Sequence, residues 1–211
     1  MEPVFISWAT MDAFYLSCAD RLGRSLNAFG LESHIVFKEN PGDWAACCHF
    51  KAKFIIEMLD TFPGRDPVWI DADGEILAPP DFLNTIQTDL AFVENAHGEP
   101  IASMIFLRNN LRVRAFVERW IEENRLHPDN PCADQENFGA VVRKMEYAGK
   151  LSVTRLPPSY NFERGITAPI SEPIVIYQHI ASRLGVVPGF EAAHKMLTRY
   201  MGFEPEFEGI A

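Results

Sequence analysis

The sequence predicts an α/β fold, with a mixed, mostly parallel sheet flanked by helices. Val68, Trp69 and Ile70 follow one another with no polar residue between them, as in a central strand covered on both faces. Apolar runs of this kind alternate with longer stretches whose apolar residues recur at helical spacing, and that alternation favours β-α-β units and parallel strands. With 211 residues, 47% of them hydrophobic and 23% charged, one globular domain spanning residues 1–211 is the default.

Val4, Phe5 and Ile6 form the first short strand. Phe14, Cys18, Leu22, Leu26 and Phe29 mark one stripe of a helix over residues 11–29, and Gly30 ends it by offering left-handed backbone. Residues 34–37 supply a second strand. After the turn Asn40-Pro41-Gly42-Asp43, a helix beginning near Lys51 puts Phe54, Ile55, Met58, Leu59 and Phe62 on one face and stops at Pro63-Gly64. The strand through Trp69 follows, then a rigid loop over residues 78–81. Residues 90–93 and 101–107 read as two strands joined through a His97-Gly98 turn, a hairpin or an addition to the sheet edge. Val113, Phe116, Val117, Trp120 and Ile121 define an amphipathic helix. Pro128 and Pro131 bracket a loop, after which Asp134 opens a helix carrying Phe138, Val141, Val142 and Met145. Strands over residues 152–156 and 174–177 come next, a helix around residues 190–201 closes the core, and the acidic residues 202–211 form a loose tail.

A formal net charge of −10 argues against binding to a nucleic-acid backbone, which needs basic patches. Cys18, Cys47, Cys48 and Cys132 form no C-x-x-C pair, and adjacent Cys47 and Cys48 make a poor disulfide framework, so a reducing compartment is expected. No basic segment precedes an apolar stretch at the N-terminus, and no run approaches ~18 apolar residues. The expectation is a cytoplasmic protein without a transmembrane segment.

The chemistry gathers where the Trp69 strand ends. Asp71 and Asp73 leave the core there, with Ala72 between them and Gly74 turning the backbone. Two such carboxylates can bring hard oxygen ligands to one Mg²⁺ or Mn²⁺ that keeps open positions for phosphate oxygens. The same pattern also occurs in surface turns, where Asp bonds only to its own backbone. Thr10, Asp12 and Tyr15 sit at the first strand-to-helix corner, where open α/β sheets meet ligand; Asp12 serves equally well to stabilise the first helical turn. Lys51 or Lys53 could reach a diphosphate, the other being an exposed helix lysine. His179, delivered by the last short strand, is either a hydrogen-bonded structural residue or a third ligand to a cation nearby.

Taken in order, these pieces resemble a GT-A-fold glycosyltransferase of the nucleotide-diphospho-sugar transferase superfamily. The matching stretches are Thr10 to Tyr15, Ser25-Leu26-Asn27-Ala28-Phe29-Gly30, the Lys51 helix, Val68-Trp69-Ile70-Asp71-Ala72-Asp73-Gly74-Glu75, Ile105 to Asn109, Ala133-Asp134-Gln135, Leu156 to Asn161, and Ile176-Tyr177-Gln178-His179. The resemblance implies a Rossmann-like GT-A sheet. It assigns Asp71, Asp73 and His179 to the metal, and Thr10, Asp12, Tyr15, Lys51, Lys53 and Ala72 to the nucleotide alongside the two aspartates. Asp134 and Gln135 would face donor sugar and acceptor as catalytic residues. The implied partners are Mn²⁺ or Mg²⁺, a nucleoside-diphosphate sugar with UDP-sugars favoured, and an unidentified acceptor. The chain is short for this fold, which allows a homo-oligomer to complete the pocket.

Two rival readings stand beside this one. A haloacid-dehalogenase-like Mg²⁺-dependent phosphatase also ends an apolar strand in Asp-x-Asp-Gly, but Glu75 stands where that family carries Thr or Ser. A non-catalytic sugar-nucleotide-binding domain would keep the same fold, since fold does not fix activity.

Overall fold

In the computed structural model, which describes residues 3–128, 133–163, 167 and 170–179, the chain alternates strands and helices as the sequence predicts. The elements are β1 (Val4–Thr10), α1 (Ala13–Ala28), β2 (Ser33–Lys38), α2 (Trp44–Thr61), β3 (Pro67–Ile70), β4 (Gly74–Ile76), β5 (Leu90–Glu94) and β6 (Pro100–Leu107). They continue with α3 (Leu111–Leu126), α4 (Ala133–Tyr147), β7 (Val153–Arg155), β8 (Phe162–Glu163) and β9 (Ile176–Gln178). The main sheet has the order β2-β1-β3-β6-β5-β7. β1 is parallel to β2 and β3, and β5 to β7, while β6 is antiparallel to both of its neighbours. One strand of this sheet therefore runs against the other five. A second sheet, β4-β9-β8, continues from the end of β3.

The sheet is covered on both faces, which explains why its strands carry unbroken apolar runs. Successive residues of β1 serve opposite faces. Val4, Ile6 and Trp8 join Trp69, Phe92 and Ile105 against α2, α3 and α4, where Phe54, Phe116, Trp120 and Phe138 are fully buried. Phe5 joins Val68, Ile70, Met104 and Phe106 on the other face, against Leu22 and Leu26 of α1 and Ile76 and Ile176 of the small sheet. Each such side chain contributes about 1.5–3 kcal/mol of burial, so neither face is dispensable.

Some boundaries differ from the sequence expectation for identifiable reasons. Helix α2 starts at Trp44 and not near Lys51, because Asp43 caps it by accepting from the Ala46 amide at 2.9 Å. Residues 45–50 are only partly buried, with Cys47 and Phe50 packed at the edge of the core, so the first turns of α2 lack the fully buried stripe that marks the rest. The hairpin expected at Gly98 forms, with Gly98 at φ 76°, but its second strand is interior. β6 lies between β3 and β5, and Ala102, Met104, Ile105, Phe106 and Leu107 are all buried. The expected helix at residues 190–201 and the tail at 202–211 lie outside the described residues.

Candidate active site

The carboxyl ends of β1 and β3, the start of β6 and the first turn of α4 share one rim of the sheet. Ser7 Oγ donates to the Ile70 carbonyl at 2.7 Å and ties β1 to the last residue of β3. The Asp71 amide then donates to the Ser103 carbonyl at 2.9 Å, and the Gly74 amide returns to the Asp71 carbonyl at 2.8 Å. That turn carries Asp71, buried Ala72 and Asp73. Gly74 is required by close packing: a Cβ there would lie 2.5 Å from Ile70 Cγ2 and 3.1 Å from the Asp71 carbonyl oxygen.

Lys51 organises this rim. Its Nζ lies 2.9 Å from Asp71 Oδ1 and 2.8 Å from Asp134 Oδ2, and it donates to the Ala102 carbonyl at 3.0 Å. All three ammonium donors are thus engaged, and the side chain is 7% exposed. Burial works against the ammonium, but Asp134 and Asp71 outweigh it and raise its pKa. Burial, with Asp73 and Asp134 nearby, pushes Asp71 up to about 7 against the pull of Lys51. Trp69 Nε1 also donates to Asp71 Oδ1 at 2.8 Å.

At the β1–α1 corner Asp12 caps α1, accepting from the Phe14 and Tyr15 amides at 3.1 and 3.0 Å and from Thr10 Oγ1. Burial raises the Asp12 carboxyl, but these bonds outweigh it and leave its pKa lowered. The helix-stabilising role allowed for Asp12 is therefore the one its side chain performs here. Tyr15 is partly buried and packs against the small cluster of Ala9, Ala19 and Ala72; burial and then the charge of Asp73 raise its hydroxyl pKa.

Other expected site residues are placed differently. Lys53 is exposed on α2, the fate foreseen for one of the two lysines, while Lys51 spends its donors on protein and offers none to a diphosphate in this arrangement. Both ends of the Gln135 amide are taken by β6: Oε1 accepts from the Ala102 amide at 2.9 Å and Nε2 donates to the Pro100 carbonyl. It ties α4 to the sheet through these two bonds. Asp134 is buried in the first turn of α4 and faces Lys51. His179 meets Asp73 through its backbone, its N–H donating to the Asp73 carbonyl at 3.1 Å, but its Nε2 bonds Glu75 Oε2 at 2.7 Å.

Among the described residues no three His, Cys, Asp or Glu are gathered as a metal site. The expected Asp71–Asp73–His179 triad is therefore not assembled among these residues; the imidazole Nε2 is bonded to Glu75. The aspartate pair itself suits a divalent cation. Both are hard oxygen donors, and Lys51 and Trp69 meet Asp71 at Oδ1, 2.9 and 2.8 Å away. Three carboxylates against one ammonium also leave the rim negative.

Trp69 and Glu75 are the site residues that the sequence reading missed. Trp69 is two residues before Asp71 as β3 ends, the spacing at which side chains along extended backbone share a face, and that signal was available; Glu75 follows Asp73 out of a turn, where the rule does not apply. The Lys51–Asp134 contact spans residues far apart in sequence and carries no local signal.

No protein-family model matches the sequence, and no curated protein does. Solved structures do. The chain superimposes with TM-score 0.61 and 9% identity on a glycosyltransferase involved in the glycosylation of the major capsid of PBCV-1, over 93% of this chain and 99% of that one. It matches the glycosyltransferase GlyE of Streptococcus pneumoniae TIGR4 with TM-score 0.64 and 12% identity, over 100% of this chain and 67% of GlyE. The apo form of GlyE gives 0.61 and 11%, with 66% of its length covered. The chain has the fold of these glycosyltransferases. It spans about two thirds of the length of GlyE and nearly all of the PBCV-1 protein. In this glycosyltransferase fold the rim just described lies at the carboxyl ends of the parallel strands, where open α/β sheets take their ligands.

Proposed function

We propose that the chain is a glycosyltransferase that moves a sugar from a nucleoside-diphosphate donor, UDP-sugars being favoured, to an acceptor, with Mg²⁺ or Mn²⁺ held by Asp71 and Asp73. The observation that carries this reading is the negative rim formed by Asp71, Asp73 and the Lys51–Asp134 pair, on a fold shared with solved glycosyltransferases. A cation bound there would offset the charge that develops on the departing diphosphate.

The rest of the chemistry falls to the chain's own side chains. Lys51 fixes Asp71 and Asp134 relative to each other, so neither carboxylate must reorganise when ligand arrives. Asp134, the residue assigned to the sugar side, supplies a fixed negative charge for sugar hydroxyls and for a glycosyl carbon that becomes positive as the bond breaks. Thr10, Asp12 and Tyr15 line the corner assigned to the nucleotide. Cys18, Cys47 and Cys48 are free thiols, in keeping with a reducing, cytoplasmic compartment. Among the described residues no helix is long and apolar enough to cross a membrane.

Incubating the protein with a panel of nucleoside-diphosphate sugars, in MnCl₂ or in EDTA, and measuring nucleoside-diphosphate release tests this directly. Release from one donor class that EDTA abolishes is the expected result. Mn²⁺-dependent nucleotide binding with no turnover would identify a non-catalytic binding domain. Turnover of a generic phosphate ester with a trapped Asp71 phosphoenzyme would instead favour a phosphatase.

A further inference from the structure

We propose that Gln178 and Asn161 are positioning residues, a buried amide pair that fixes the turn carrying Asp71 and Asp73 and so sets where those carboxylates stand. What the turn is positioned for rests on the glycosyltransferase reading given above. Strand β9 runs beside β4 with Gln178 opposite Gly74, and beside β8 with Gln178 opposite Glu163. From there the Gln178 side chain crosses to the main sheet. Its Nε2 donates to the Ser103 carbonyl of β6 at 3.3 Å and to Asn161 Oδ1 at 3.2 Å. The Ser103 carbonyl is the oxygen that also takes the Asp71 amide. Asn161 Oδ1 accepts a second bond from Ser103 Oγ at 2.8 Å, and Asn161 Nδ2 donates to Glu163 Oε1 at 3.1 Å. The pair thus links β6, β8 and β9 next to the turn, with Gln178 3% and Asn161 1% exposed.

One atom of this network is unmatched. Gln178 Oε1 is buried and finds no donor among the described residues; it lies against Gly74, 3.3 Å from where a Cβ would stand. Turning the amide over would not help, because its other end meets two acceptors, the Ser103 carbonyl and Asn161 Oδ1. A buried acceptor without a donor lowers stability, which offsets what the two Nε2 bonds, both at the long end of the range, contribute. Removing Gln178 also strands no neighbour: Asn161 Oδ1 keeps Ser103 Oγ, and the Ser103 carbonyl keeps the Asp71 amide. An apolar side chain of similar size would therefore serve stability as well. What it would lose is the grip on both ends of the turn, the carbonyl from which Asp71 hangs and the strand opposite Gly74.

The test compares wild type with Gln178→Leu by thermal melt, by hydrogen exchange of residues 71–77 followed by mass spectrometry, and by nucleoside-diphosphate release from the donor the wild type prefers. The expected result is a melting temperature no lower than that of the wild type and faster exchange confined to the turn. With them, kcat/KM should fall about tenfold or more, as a small displacement of positioned groups does. Unchanged kcat/KM overturns the proposal whatever the melting temperature, and so does exchange that is unchanged at the turn or raised throughout the chain. If Gln178→Leu does not fold, Gln178→Met carries the test; failure of both to fold would make the network purely structural and overturn the proposal as well. A wild type that releases nucleoside diphosphate from no donor overturns the glycosyltransferase reading, and the exchange comparison then still decides whether Gln178 holds the turn.

Discussion

Lys51 shows how much of this rim depends on one side chain. Removing a buried cation from between two carboxylates leaves both uncompensated, and breaking such a pair costs about 3–5 kcal/mol. Lys51→Met is therefore expected to lower the urea midpoint sharply, and a second change, Asp134→Asn, to recover part of the loss. An unchanged midpoint would show that the contacts at 2.9 and 2.8 Å contribute nothing net. Asp71 sets a pH dependence of definite sign. Its carboxyl is pushed from 3.8 up to about 7, first by burial, so the folded protein holds that proton more tightly than the unfolded chain does. The stability this supplies is full below pH 3.8 and is lost as pH rises through about 7. Cation binding runs the other way, because the ligand is the carboxylate. Mn²⁺ affinity measured by calorimetry should fall as pH drops below about 7, and the dependence should weaken in Asp71→Asn.

The turn from β3 into β4 is the element that converts an apolar strand into a site. Ile70 fills the space beside Gly74, where an added Cβ would sit 2.5 Å from its Cγ2. Ile70 is 1% exposed and β-branched, so it has little freedom to move aside. Gly74→Ala is expected to cost about 1–3 kcal/mol by overpacking and to displace Asp73 and the β4–β9 pairing together. A thermal melt combined with a Mn²⁺ titration checks both, and full binding in this variant would show that the turn tolerates the shift. Helix α2 has a parallel dependence at its other end. Asp43→Ala removes the bond to the Ala46 amide and should cost about 1 kcal/mol in a denaturant melt, without changing Mn²⁺ affinity.

At the scale of the molecule, what was legible in the sequence followed from burial. Val68, Trp69 and Ile70 revealed β3 because both of its faces are covered, and the stripes through Leu22 and Leu26 or Phe116 and Trp120 revealed α1 and α3 because each buries one face. The interior place of β6 was not legible, since a hairpin fixes which strands pair but not where the pair inserts. Asp71, Asp73 and Lys51 could be singled out as residues, whereas the Lys51–Asp134 and His179–Glu75 pairings come from strand and helix placement. Gln135 illustrates the same limit: its amide is spent on Pro100 and Ala102, neighbours that only the packing of α4 on β6 supplies.

The central claim, that the rim binds a nucleoside diphosphate through a cation on the aspartate pair, is tested most directly by calorimetric titration of UDP and other nucleoside diphosphates. Wild type and Asp73→Ala should each be titrated with MnCl₂ and with EDTA. The expected result is Mn²⁺-dependent binding in the wild type that Asp73→Ala removes, with the circular-dichroism melt of the variant unchanged. Equal affinity in the two proteins, or binding indifferent to Mn²⁺, would contradict it.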